Sequence, residues 1–446
     1  MMAPPMETVD ILIDAHWVIP VEPAGALLRD HSVAVRDGII VAVLPSAQAQ
    51  ARFSCARRFT LSHHALIPGL INLHTHAAMT LMRGLADDLA LMRWLQDHIW
   101  PAEAKHASEA FVRDGTMLAC AEMLRAGVTC FNDMYFFPQA AAEAALACGM
   151  RAAIGLIAVD FPTPYASDVD DYLAKGLAVR DRYKSERLLS FCMAPHAPYT
   201  VSDSSFSRIV TLAEELDLPI HVHVHETGEE IRASLAQHKL RPLHRLNELG
   251  VVGPRLIAVH AVHLEAAEME LLARHGASVA HCPSSNLKLA SGIAPVAELF
   301  AAGVNVGLGT DGAASNNRLD VLGEMRTAAL LAKARSHDPE AMPAALALQA
   351  ATLNAARALG IERTAGSIVA GKSADLCAVD FDVPELLPCY DPISHLVYAA
   401  GRENVSHVWV AGALRVEEKS LLLSDFLDFY KPLRLWQNKL GVETKA

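Results

Sequence analysis

The chain has 446 residues, 52% hydrophobic and 20% charged, which gives a globular protein with room for one large and one smaller domain and excludes a disordered chain. A formal charge of −12 without any Lys/Arg-rich run argues against nucleic acid as a partner, and no apolar run approaches the roughly 20 residues of a membrane-spanning helix. The opening MMAPPMETVD lacks the basic and apolar regions of a secretory signal, and Cys55, Cys120, Cys130, Cys148, Cys192, Cys282, Cys377 and Cys389 form no CxxC pair, so a cytoplasmic protein with reduced thiols and no cysteine-based zinc site is expected.

Residues 7–66 carry short strand-like runs at 9–13, 17–21, 32–35 and 39–43, separated by turn residues such as Asp37-Gly38. So few strands cannot bury two faces alone, and a partner is expected elsewhere in the chain. It stands at the other end, where residues 366–376 lead into the apolar run 377–379, and residues 405–410 run into Ala411-Gly412. The expectation is a β-sandwich domain built from both termini, residues 1–66 with 366–446, and a large domain, residues 67–365, inserted between them.

The middle of the chain alternates strand and helix about eight times. Strands are expected at 66–74, 129–134, 151–159, 188–194, 219–225, 256–263, 278–282 and 304–309, with helical patterns between them at 114–126, 139–148, 204–216, 266–274 and 294–302. Many of these strands are apolar without alternation, as suits parallel strands covered on both faces. The pattern fits an α/β fold, a (β/α)8 TIM-like barrel with its active site at the carboxyl ends of the strands. The connection 77–108 is the longest and contains Trp94 and Trp100, which makes it a candidate lid over the barrel mouth.

The first strand ends in His74-Thr75-His76, and residues at i and i+2 of a strand project to one side. With 21 histidines in the chain such a pair arises by chance about once, so the signal lies in its company. The fifth strand carries His221, His223 and His225 on one face and closes on Glu226; the sixth ends in His260 and His263; the eighth ends in Asp311. A lone strand-end histidine is more often a hydrogen-bonded core residue. A set of them is not explained that way, because buried ionisable groups are costly unless paired or coordinating. A His/His/His/Asp set around one mouth suits zinc or iron with a position left for water.

In that order, His74 and His76, then His223, His260 and Asp311, the chain resembles the amidohydrolase superfamily over nearly its whole length. The combination HTHAAMTLMRGLADDL, HIWPAE, APHAPYT, HVHVHET and LGTDGAASNN is similar to the 5-methylthioadenosine/S-adenosylhomocysteine deaminase family, within a group that includes triazine hydrolases. The resemblance implies one divalent metal ion per chain, Zn2+ with Fe2+ as the alternative, held by His74, His76, His223 and Asp311. It implies Glu226 as proton shuttle, His260 as the residue that holds the reacting water, and Glu103 and His196 as nucleoside contacts. It also implies a purine nucleoside substrate, release of ammonia and a homo-oligomer. Ala261 departs from a cysteine common at that position, and no arginine is assigned to the substrate's tail, Arg151 reading as an ordinary strand-start residue.

Three other readings differ in what they require. A binuclear amidase of dihydroorotase type needs a bridging strand-end lysine, and between His76 and His223 the only lysines, Lys105, Lys175 and Lys184, lie in helical or pre-strand contexts. A triazine chlorohydrolase or another amino-heterocycle deaminase shares the scaffold and differs in substrate. A non-catalytic scaffold protein of the same shape has no reason to keep the whole ligand set.

Overall fold

Among the described residues, sixteen strands divide between two sheets, one made from the chain's ends and one from its middle. The computed structural model describes residues 6–422 and 426–441, so the outermost residues of the expected terminal domain lie outside the described residues. The terminal sheet begins with β1 (Glu7–Val18), β2 (Leu28–Arg36), β3 (Ile39–Pro45) and β4 (Phe53–Pro68). The barrel follows with β5 (Leu70–Thr75), β6 (Val128–Asp133), β7 (Arg151–Ala158), β8 (Leu189–Pro195), β9 (Ile220–Val224), β10 (Leu256–His260), β11 (Ser278–His281) and β12 (Asn305–Leu308). The chain then returns to the first sheet as β13 (Leu376–Asp380), β14 (Val405–Val410), β15 (Ala413–Glu417) and β16 (Ser420–Leu421).

The terminal module is one curled eight-stranded sheet in the order β16-β15-β14-β13-β4-β1-β2-β3. Its two halves are the layers of the expected sandwich. They meet where the β2–β3 turn touches the β14–β15 turn, so closely that a Cβ on Gly38 would lie 2.4 Å from the Ala411 carbonyl oxygen. Between the layers lie Ile13, Val33, Phe59, Leu66, Leu376 and the fully buried Trp409. The long strand β4 is absent from the sequence expectation because Arg57-Arg58 and His63-His64 interrupt its apolar pattern. The expected first barrel strand at 66–74 is in fact two pieces. Leu66 pairs with Ala378 in the terminal sheet, and the chain changes sheets at Gly69, where a Cβ would clash with Thr129 at 2.1 Å.

The barrel strands are parallel and neighbour one another in chain order, β5 to β12. The seam between the first and last is closed by the Thr310 and Asp311 N–H groups, which donate to the His74 carbonyl at 3.1 and 2.9 Å. Helices such as Glu109–Arg125, Val169–Tyr183 and Asp203–Leu216 pack outside, each started by a side-chain cap, from Ser108, Asp168 and Ser202. A C-terminal helix, Phe426–Gly441, lies on the helix Glu109–Arg125, with the Trp436 indole donating to Asp114 Oδ2 at 2.9 Å. Among the described residues no helix is long and apolar enough to cross a membrane.

Several strands stop earlier than their apolar runs. β9 ends at Val224 because His225 takes a left-handed φ of 57°, and β10 ends at His260, where His260 and Ala261 have φ of 70° and 48°. Asp311, just beyond β12, has φ of 63°. Non-glycine residues held in that region cost of order 1–3 kcal/mol each, and such strain gathers where side chains must be aimed.

Candidate metal centre

Four strand ends deliver their side chains to one point. His74 lies within β5 and His76 just past it, His223 lies within β9, His260 closes β10 and Asp311 follows β12. His74 Nε2 stands 3.2 Å from Asp311 Oδ1 and 3.2 Å from His223 Nε2, and His76 Nε2 stands 3.3 Å from the same Asp311 oxygen. The ligand-capable atoms of His74, His223 and His260 fall within 4.8 Å of one another, as do those of His74, His76 and Asp311.

The opposite nitrogen of each ring is tied down. His76 Nδ1 donates to the Met134 carbonyl at 2.6 Å and His223 Nδ1 to the His196 carbonyl at 2.7 Å. A carbonyl can only accept, so both Nδ1 atoms carry hydrogen, and each ring in its neutral form presents an Nε2 lone pair to the centre. His74 Nδ1 lies 2.9 Å from His221 Nε2, and His260 Nδ1 lies 2.8 Å from Asn286 Oδ1. Asp311 Oδ2 accepts from the hydroxyls of Ser285 at 2.7 Å and Ser315 at 2.9 Å, which leaves Oδ1 facing the histidines. The His223 nitrogen 3.2 Å from His74 Nε2, which itself stands 3.2 Å from an anionic oxygen, makes a seat for a cation. The donor set, imidazole nitrogen and carboxylate oxygen with oriented outer partners, fits zinc or ferrous iron.

The charges agree with that geometry. Burial draws His74 down to about 4 and holds His223 well below the ordinary histidine value. Burial by itself would raise the Asp311 carboxyl, but hydrogen bonds from His74 and His76 hold it well below the carboxylate range. Burial works against a charge on His76 too, yet Asp311 lifts it to about 9. A cation held by these residues would displace that proton, because a ligating imidazole is neutral.

Above the centre opens a cavity of about 460 Å³. His76, His223, His260, Asp311, Glu226, His196 and Glu103 all line it; of the eight site residues expected from the sequence, only the fully buried His74 lies beneath its floor. Glu226 Oε2 is 3.7 Å from His260 Nε2, and burial pushes its carboxyl up, so it holds a proton more readily than a solvated carboxylate. Glu103, on the helix Trp100–His106, is buried near the Tyr135 phenol, and desolvation pushes it up to about 7. Burial draws His196 down to about 3, keeping its ring neutral.

The expected lid supplies one wall of this cavity. Leu91, Trp94, Leu95 and Trp100 face it together with Phe136, Phe161 and Tyr199 from other loops. Met92 packs against the core instead. His225 is not on the face of His221 and His223: its left-handed backbone turns it to the Leu243 N–H at 3.0 Å and beside Glu268 at 3.4 Å. His221, Ser285, Asn286 and Ser315 were not singled out as site residues from the sequence. The PSSN run straight after the seventh barrel strand was the available signal for two of them.

Known proteins are similar to this chain over nearly its whole length. The profile of the amidohydrolase family matches residues 65–415. A curated protein of Saccharophagus degradans, named 5-methylthioadenosine/S-adenosylhomocysteine deaminase, is 47% identical over 434 residues, 97% of each chain. The crystal structure of an adenosine deaminase from Xanthomonas campestris with bound zinc superposes with a TM-score of 0.97 at 50% identity, covering 98% of this chain and 100% of that one. An atrazine chlorohydrolase from Arthrobacter aurescens complexed with zinc gives a TM-score of 0.87 at 25% identity, covering 96% and 99%.

Proposed function

Since the chain belongs to the amidohydrolase family, we propose that it hydrolyses the exocyclic C–N bond of an adenosine-type nucleoside, 5′-methylthioadenosine or S-adenosylhomocysteine, to the inosine-type product and ammonia. The observation that carries this reading is the convergence of His74, His76, His223 and Asp311 beneath a cavity whose walls hold Glu226 and, apart from it, Glu103. Those four residues would hold one divalent metal ion, zinc with ferrous iron as the alternative. Such an ion, when bound, activates water near neutral pH as a Lewis acid.

The protein's own groups carry the protons. His260 and Asp311 orient the attacking water, and Asp311 accepts its proton. Glu226 protonates the ring nitrogen beside the attacked C6, takes up the remaining hydroxyl proton as the C6 carbonyl forms, and passes it to the departing amine, so the C6–N bond breaks as ammonia leaves; the proton held by Asp311 then restores Glu226. Its raised pKa suits the acid role.

Specificity comes from the far side of the cavity. Glu103 accepts hydrogen bonds from the ribose hydroxyls, and His196 contacts the nucleoside. The ionisable side chains described around the cavity are carboxylates, imidazoles and the phenols of Tyr135 and Tyr199, with no lysine or arginine among them, and the remaining wall is mostly apolar. A neutral 5′-thioether fits such a wall better than a zwitterionic amino-acid tail, so methylthioadenosine is expected to be the faster substrate. The division into a terminal module, residues 1–66 with 366–446, and a barrel, residues 67–365, belongs to the same proposal, as does a cytoplasmic homo-oligomer.

The test is ammonia release from methylthioadenosine, S-adenosylhomocysteine, adenosine, adenine and chloro-triazines, with elemental analysis of the same protein. One metal ion per chain and kcat/KM far higher for the nucleosides than for adenine are expected. Turnover of triazines alone would replace the nucleoside reading, and two tightly held ions per chain would refute the mononuclear centre.

A further inference from the structure

We propose that Ser285 and Asn286, adjacent on one short helix, are positioning residues that set His260 and Asp311 for their work on water. Topology places them there. β11 pairs with β10 on one side and with β12 on the other, so the helix Pro283–Lys288 that follows it emerges between the strand ending in His260 and the strand leading to Asp311. Asn286 reaches one neighbour, its Oδ1 2.8 Å from His260 Nδ1, and Ser285 reaches the other, its hydroxyl donating to Asp311 Oδ2 at 2.7 Å. Both are essentially inaccessible to solvent, Ser285 at 0% and Asn286 at 1%. The turn is anchored from behind by Glu324, whose two oxygens accept from the Ser284 N–H at 3.0 Å and the Asn316 amide at 2.8 Å.

Each contact has a chemical consequence. An accepting Asn286 Oδ1 fixes hydrogen on His260 Nδ1 and so leaves a lone pair on Nε2, the atom turned toward Glu226. Hydroxyls on Asp311 Oδ2 distinguish its two oxygens, one held by serines and the other, Oδ1, accepting from the Gly312 N–H at 2.8 Å and turned to the histidine cluster. That second duty is shared: Ser315 donates to the same Oδ2 at 2.9 Å and lies 3.0 Å from the Ser285 hydroxyl. Among the described residues Asn286 has no such substitute, and its Nδ2 has no hydrogen-bond partner there, so replacing that nitrogen by oxygen breaks none of the described bonds.

The proposal rests on the water-handling roles given to His260 and Asp311, and the experiment separates the two. Metal-loaded enzyme is assayed with methylthioadenosine for kcat and KM, alongside metal content and Tm. Asn286→Leu, similar in size but unable to accept, should lower kcat by about 10–100-fold with KM changed less than about threefold and metal content unaltered. Asn286→Asp keeps the acceptor and should stay within about fivefold of wild-type kcat, even though a buried carboxylate lowers its Tm. Activity that follows acceptor capacity against stability is not the mark of a packing role. Ser285→Ala and Ser315→Ala should each cost about threefold or less, and the double variant clearly more than their product. Wild-type kcat in Asn286→Leu, an Asn286→Asp as slow as Asn286→Leu, or a merely multiplicative serine pair would overturn the proposal. The serine arm stands even where Asn286→Leu fails to fold. A fully active His260→Ala would overturn the function reading and this proposal with it, whereas an inactive His260→Ala beside a fully active Asn286→Leu would overturn this proposal alone.

Discussion

At the scale of single residues, tautomers decide what the histidines can do. His223 has its Nδ1 bound to a carbonyl and its Nε2 at the centre, so His223→Ala removes a proposed ligand and is expected to lose the metal. His221, two residues earlier on the same strand, touches no cation seat but lies 2.9 Å from His74 Nδ1. Its replacement by alanine is expected to weaken metal affinity by about 10–100-fold without abolishing it, as measured by competition with a chelator. A His221→Ala protein that loses metal while His223→Ala keeps it would reverse the strand's register. Glu226 stands beside the set at 3.7 Å from His260 and outside it. Glu226→Gln should therefore retain metal while kcat falls by about 10²–10⁴-fold, and near-normal turnover would remove it from the mechanism. Histidine positions were legible in the sequence because β periodicity aims alternate residues alike. The separate fate of His225 was not, since it depends on a left-handed backbone angle that no spacing rule encodes.

At the scale of elements, the sequence marked the barrel strands through their unbroken apolar runs and located the lid through its length. It could not show that the run at 66–74 changes sheets at Gly69, because apolar residues look the same in either sheet and only the packing of Thr129 forces the break. The lid's helix Trp100–His106 also carries a titration that sequence alone does not show. Burial pushes Glu103 up to about 7 from an ordinary 4.5, so its carboxyl is neutral below about pH 7 and anionic above. The anion accepts charge-assisted hydrogen bonds from ribose hydroxyls and the neutral acid accepts weaker ones. KM for methylthioadenosine should accordingly fall as pH rises from 6 to 8 in the wild type, and Glu103→Gln should flatten that dependence. A pH-dependent KM that survives in Glu103→Gln would assign the titration to another group. The same shift acts on folding with the opposite benefit. The native chain binds the Glu103 proton more tightly than the unfolded one, so this group's contribution to stability declines as pH rises between about 4.5 and 7.

At the scale of the whole molecule, the question is what keeps the terminal module seated under the barrel. Arg151 begins β7, and the sequence offers no reason to see more in it than a strand-start residue. Its guanidinium is buried and donates to Asp375 Oδ2 at 2.8 Å, to the Ser373 hydroxyl at 3.1 Å and to the Arg187 carbonyl at 3.1 Å. Asp375 in turn accepts from the Ala411 N–H at 2.6 Å, in the turn that closes the curled sheet. One ion pair thus joins the barrel strand to the return of the chain into the terminal sheet, across 224 positions of sequence. Such a pairing is invisible to periodicity because its partners share no local pattern. The guanidinium is 9% exposed and the carboxylate 2%, so removing one partner strands a buried charge at a cost of about 3–5 kcal/mol. Arg151→Ala should lower the urea midpoint accordingly. An Arg151→Met/Asp375→Leu double variant, which buries no unpaired charge, should recover part of the loss. Neither residue lines the cavity, so kcat and KM for methylthioadenosine should be unchanged in whatever fraction stays folded. A selective rise in KM for S-adenosylhomocysteine in Arg151→Ala, at unaltered stability, would instead make this arginine a substrate contact and displace the account of it as a clamp.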